Sequence, residues 1–90
     1  MIRQNVNRPD PEPLALAALA WTLRDEARAQ RLLDTTGLTP ELLRVALEEP
    51  GTLSAILRFL EAHEPDLIAA ADDLGVAPAT LVSAREELER

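Results

Sequence analysis

Three arginines in this chain are spaced so that they could act together. Arg24, Arg28 and Arg31 lie four and three residues apart, which lines them along one face if they share a continuous helix. Trp21 precedes them by one turn. Guanidinium groups bind phosphates and carboxylates with two hydrogen bonds at once, and Arg and Trp are frequent interface anchors. Such a face could receive a phosphate or an acidic peptide. The same groups could instead pair with Asp25, Glu26 or acids in the second half of the chain, the commoner fate of charges on a helix surface. Trp21, Arg24, Arg28 and Arg31 form the candidate partner surface.

The other reactive side chains are isolated. His63 is the one histidine. A general base or a metal ligand is the sharp reading, but with no Cys and no second His a zinc site would need carboxylates as its remaining ligands, which is rare. An exposed histidine at the end of a helix is the plain reading. Ser54 and Ser83 are the only serines, and neither lies in a G-x-S-x-G elbow. The glycines, Gly37, Gly51 and Gly75, stand apart, so there is no Walker loop or dinucleotide fingerprint. The acidic pairs Glu48–Glu49, Asp72–Asp73 and Glu86–Glu87 lack calcium-loop spacing and read as a solvated face. No catalytic residue, cofactor or metal is expected, and the chain reads as a non-enzyme.

One stretch, "LIAAADDLGVAPATLVSAR" (67–85), has the spacing of a helix-turn-helix. Ala71, Leu74, Gly75, Val76, Leu81 and Ala84 occupy positions where that motif wants small or apolar residues. Those positions report only that two helices meet at a tight turn. A DNA reader also needs a cationic or amide-rich helix face, and "PATLVSAREELER" offers Thr80, Ser83, Glu86 and Glu87, with Arg85 shared between faces. The net charge is −7, and residues 61–90 hold two Arg against eight acids. Phosphate contacts supply most non-specific affinity, so this charge disfavours nucleic acid and anionic membranes.

The composition is that of a helical protein. Ala, Leu, Glu and Arg dominate, while aromatic and β-branched residues are scarce. The absence of Cys excludes a disulfide scaffold. The longest apolar run, "LALAALAWTL" (14–23), is too short to span a bilayer and follows acids and prolines rather than the basic start of a signal peptide. A cytoplasmic protein is expected.

Residues 1–12 read as a flexible N-terminal tail and 13–90 as a single helical domain. Six short helices are expected. The first covers about Pro13 to Arg24, with Leu16, Leu19, Ala20 and Leu23 inward. The second covers Glu26 to Asp34, with Ala29, Leu32 and Leu33 inward and Gly37 ending it. No breaker separates these two, so they read as two helices or one bent helix, with Asp25 as a candidate cap. The third opens on Thr39–Pro40–Glu41, carries Leu42, Leu43, Ala46 and Leu47, and closes at Pro50–Gly51. The fourth covers Thr52 to Ala62, with Leu53, Ile56, Leu57 and Leu60 inward. The fifth runs from Pro65 to Leu74. The sixth runs from Pro78 to Glu89 with Leu81, Val82, Arg85 and Leu88.

A shift of 38 residues superimposes much of the chain on itself. Trp21 falls on Phe59, Leu19 on Leu57, Gly37 on Gly75, Pro40 on Pro78, Leu43 on Leu81 and Ala46 on Ala84. From Gly37 to Glu49, six of thirteen positions are identical. The matches include the residues that stop and start helices, which points to two similar three-helix units, 13–50 and 51–90, packed face to face. The expected fold is all-α: a compact bundle of five to six short helices, with Trp21 and Phe59 in equivalent places near the junction.

The segments Ala17 to Leu23, Asp25–Glu26, Thr36 to Pro40, Leu57 to Leu60 and Gly75 to Pro78 also resemble, in order, a family of small uncharacterised proteins of alphaproteobacteria. That family shows "ALAFL", an acidic helix start, "TGL-x-P", "LDFL…DE" and a closing "G-x-x-P". The resemblance implies an all-helical bacterial domain and brings no activity, cofactor or site residue. His63 stands where the family tends to an acid. The reading that follows is a non-enzymatic interaction module, binding a protein partner or itself; a helix-turn-helix DNA-binding regulator is the alternative.

Overall fold

Proline and capping residues set where each helix begins. The computed structural model describes residues 9–90, and the N-terminal eight residues of the expected tail lie outside that range. Among the described residues there are six α-helices and no strand: α1 (Pro11–Leu23), α2 (Glu26–Thr36), α3 (Pro40–Ala46), α4 (Pro50–Glu61), α5 (Glu64–Leu74) and α6 (Pro78–Leu88). α1 opens two residues earlier than its sequence suggests, because Pro11 fits a first turn, where no N–H is needed. For the same reason Pro50 does not close α3. That helix has ended at Ala46, and Pro50 is the first residue of α4.

α1 and α2 are separate helices. The Asp25 carboxylate accepts the Arg28 N–H at 3.0 Å, which caps α2 and fixes the break. α2 and α5 end on Gly37 and Gly75, with φ of 75° and 73°. After α5 the Val76 N–H reaches back to the Ala71 carbonyl and the Gly75 N–H to Asp72, a closure that needs the left-handed conformation glycine adopts without strain. α2 and α5 have equal length and begin 38 residues apart, as do the starts of α3 and α6.

Thr39 caps α3 by accepting the Leu42 N–H at 3.1 Å. The residue 38 positions on, Ala77, leaves α6 with no side-chain cap. Ala77→Thr is expected to raise stability by up to about 1 kcal/mol, as its hydroxyl accepts the N–H of Ala79 or Thr80. A lower urea midpoint for this variant would contradict the observed start of α6.

The helices share one apolar core. α4 supplies Leu53, Ile56, Leu57, Phe59 and Leu60, all buried, and four of these are the stripe its period marks. α6 packs on α1, α4 and α5, whereas α3 makes only slight contact with any other helix. This breaks the equivalence of the two trios. α1 also departs from its expected phase. It buries Leu14, Ala15, Ala18, Leu19, Trp21 and Thr22, and of the expected stripe only Leu19 is buried. Leu16 and Leu23 are 42% and 45% exposed, and Ala20 is exposed too. In α3, Leu43 is buried while Leu42 is exposed. A helix that is apolar on all sides has no preferred phase of its own; its neighbours choose it. No single helix among the described residues is long and apolar enough to cross a membrane.

Candidate functional site

The arginine face exists, and most of it is engaged within the molecule. Trp21 is buried at 4% exposure, and its indole Nε1 donates to Asp73 of α5 at 2.6 Å. Arg28 stacks over the indole at 3.9 Å, and Arg31 lies over the Phe59 ring at 5.5 Å. These contacts join π-face attraction to apolar packing. Arg31 donates to the Asp66 carboxylate at 2.7 Å, and Arg28 approaches the same group at 3.6 Å. Arg24 stays near Asp73 at 3.8 Å with 68% of its side chain in solvent.

Asp66 is the centre of this cluster, and sequence reading did not single it out. Its side chain is 12% exposed, in the first turn of α5. His63, the residue that opens α5, places Nδ1 3.0 Å from an Asp66 oxygen. The histidine is exposed at the junction of α4 and α5 and also contacts this carboxylate. Asp66 stands 38 residues after Arg28, but that spacing alone does not mark it as an acceptor, because it lies on a different helix.

Burial pushes the Asp66 carboxyl up, but hydrogen bonds from Arg31 and His63, and their charges, outweigh it, and the group lies below the usual carboxylate range. A carboxyl depressed in the folded state adds stability above its unfolded pKa, about 4. That stability is lost as pH falls through the folded value. Asp66→Asn is therefore expected to destabilise the protein by about 2 kcal/mol at neutral pH, between exposed and fully buried pairs. It should also flatten the fall in stability below about pH 4. Urea titrations across that range check both, and a wild-type-like acid limb in the variant would remove Asp66 as its source.

A second ion cluster ties α6 to α4. Arg85 donates to both carboxylate oxygens of Glu61 at 2.9 and 3.1 Å, and Arg58 donates to Glu89 at 2.8 Å. Hydrogen bonds to Glu61 and Glu89 raise Arg85 above its ordinary value, and the bond to Arg58 draws Glu89 down. The residue that a DNA-reading α6 would need is thus occupied. The chain bends by 98° between α5 and α6, within the range of a helix-turn-helix corner, but α6 is packed on three helices.

The third feature is a cleft. α3 touches the core chiefly through Leu43, and an open apolar cavity of about 260 Å³ lies between it and the C-terminal half of α1. Its walls include Leu19 and Leu23 of α1, Leu33 of α2, Leu43 and Arg44 of α3, and Leu47 just after α3. On the other flank of α3, toward α4, lies a second opening of about 390 Å³. Among the described residues no group of three His, Cys, Asp or Glu side chains is placed to hold a metal ion.

Residues 8–90 match the sequence model of a family described as "Protein of unknown function (DUF3572)". The chain belongs to this family. No curated protein and no solved structure matches it. In this DUF3572 member three of the resemblance segments fall at structural corners, while Ala17 to Leu23 and Leu57 to Leu60 lie within α1 and α4. Thr36 to Pro40 spans the end of α2 and the cap of α3, and Gly75 to Pro78 is the corner into α6. The cleft walls draw on both kinds of position: Leu19, Leu23 and Pro40 lie in those segments, and Leu33, Leu43, Arg44 and Leu47 lie between them.

Proposed function

We propose that this DUF3572 protein is a non-enzymatic protein-interaction module that presents the α1–α3 cleft to its partner. The observation that carries this reading is an uncovered apolar surface: Leu16 and Leu23 on the outer face of α1, running into a cleft whose one charged wall residue is Arg44. Exposed contiguous apolar surface on a small domain marks interaction sites. An aliphatic lining suits helix or side-chain docking and lacks the nucleophile or proton-transfer group that catalysis requires. The arginine face is the second surface to weigh, since Arg24 and Arg31 keep 68% and 47% of their side chains exposed.

Affinity capture from native extract with three baits separates the surfaces. A partner held by wild type and by Arg31→Glu, and lost with Leu23→Glu, supports the cleft. The reverse pattern moves the site to the arginines. Salt-sensitive binding of mixed DNA at low ionic strength would replace the module with a DNA-binding regulator. Turnover in an unbiased metabolite screen that His63→Ala abolishes would overturn the non-enzymatic reading.

A further inference from the structure

We infer that the α1–α3 cleft receives an amphipathic α-helix of a partner protein, apolar stripe inward, with an acidic side chain meeting Arg44. The inference rests on the interaction-module reading and names the occupant of its site.

The first support comes from comparing the two halves. On α4, Arg58 and Glu61 reach Glu89 and Arg85 and hold α6 down. The residues 38 positions earlier are Ala20 for Arg58, Leu23 for Glu61 and Leu47 for Arg85. Where one half has ionic ties, the other has aliphatic side chains, and Leu23 and Leu47 are both walls of the cleft. α3 therefore lacks the ties that seat α6, and an apolar strip of α1 is left open where a helix would lie. The strip is helical in its own spacing: Leu16 and Leu23 are seven residues apart, both substantially exposed, with the small, exposed Ala20 between them. A docking helix reads such a strip with anchors at i, i+3 or i+4, and i+7.

Charge selects the kind of helix. Arg24, Arg28, Arg31, Arg58 and Arg85 each lie within 4 Å of a carboxylate, but Arg44 has no such partner among the described residues. It stands at the wall of the cleft, able to take a carboxylate in a paired hydrogen bond. A second copy of this chain is the weaker occupant, because two molecules of net charge −7 repel one another.

The test uses the isotope-labelled full chain and two synthetic helical peptides. Both carry leucines at i, i+3, i+4 and i+7; one has glutamates flanking the stripe and the other lysines. Chemical-shift changes confined to the C-terminal half of α1 and to α3, with the glutamate peptide binding at least about tenfold tighter, are expected from one charge-assisted contact. Arg44→Glu should invert the preference, and Leu23→Glu should abolish binding of both; circular dichroism verifies that each variant is folded. Equal affinity for the two peptides, or shifts mapped to the arginine face, would overturn the proposal. So would sedimentation showing a dimer that Leu23→Glu dissociates, which would put a second copy in the cleft. If neither peptide binds while the Leu23→Glu bait still loses a captured partner, the helix is wrong and the module stands. If Leu23→Glu changes neither experiment, both fall.

Discussion

Trp21→Ala is expected to remove about 3–5 kcal/mol of stability, the range for deleting a buried large aromatic side chain. A domain of this length has roughly 5–13 kcal/mol in total, so the variant should be marginal at room temperature. The indole is 4% exposed, holds Asp73 through Nε1 and lies beneath Arg28. Its loss opens a cavity and removes the surface on which that arginine stacks. Trp21→Phe keeps a ring under Arg28 and gives up the bond to Asp73. The Asp73 side chain is 54% exposed and can turn to water, so about 1–2 kcal/mol is expected for that variant. Urea denaturation followed by circular dichroism measures both, since the protein's only tryptophan is removed as a fluorescent probe. A near-neutral Trp21→Ala would contradict a buried indole and return Trp21 to the exposed partner surface.

The second large effect contrasts two leucines on neighbouring helices. Leu57 is fully buried on α4, and Leu57→Ala is expected to cost about 3 kcal/mol. Leu16 on α1 is 42% exposed, and Leu16→Ala should stay within about 0.5 kcal/mol of wild type. The sequence marks both as core, so the pair tests the phase in which α1 packs. Equal losses at the two positions would place Leu16 inside and would close the surface on which the cleft proposal stands. The contrast needs only denaturation curves and no knowledge of a partner.

The two helices also show how far the pattern is readable. In α4 polar residues bound the stripe: Arg58 and Glu61 leave Leu53, Ile56, Leu57 and Leu60 as the inward set, and all four are buried. In α1 nearly every position between Leu14 and Leu23 is apolar, so periodicity establishes a helix without choosing its inner face. The arginine face was legible as a set of residues, but its acceptors were not. Asp66 and Asp73 lie 35 and 52 residues from the side chains they accept, a separation at which spacing rules for one helix say nothing. The cleft left almost no local trace, because its walls are mostly ordinary leucines of α1, α2 and the α3 region, whose shared position depends on α3 touching the core chiefly through Leu43.

Local chemistry was enough to determine that this chain is helical and where it turns. Proline without an N–H, glycine at positive φ and Thr39 or Asp25 at a helix start act within a few residues of themselves. Tertiary structure alone decided which face of α1 is covered, which carboxylates the arginines hold, and that α6 is packed on three helices while α3 touches the core chiefly through Leu43. Those outcomes depend on contacts between residues far apart in the chain, where the ties of α6 to α4 have aliphatic counterparts in the first half. The open cleft is the consequence of that difference.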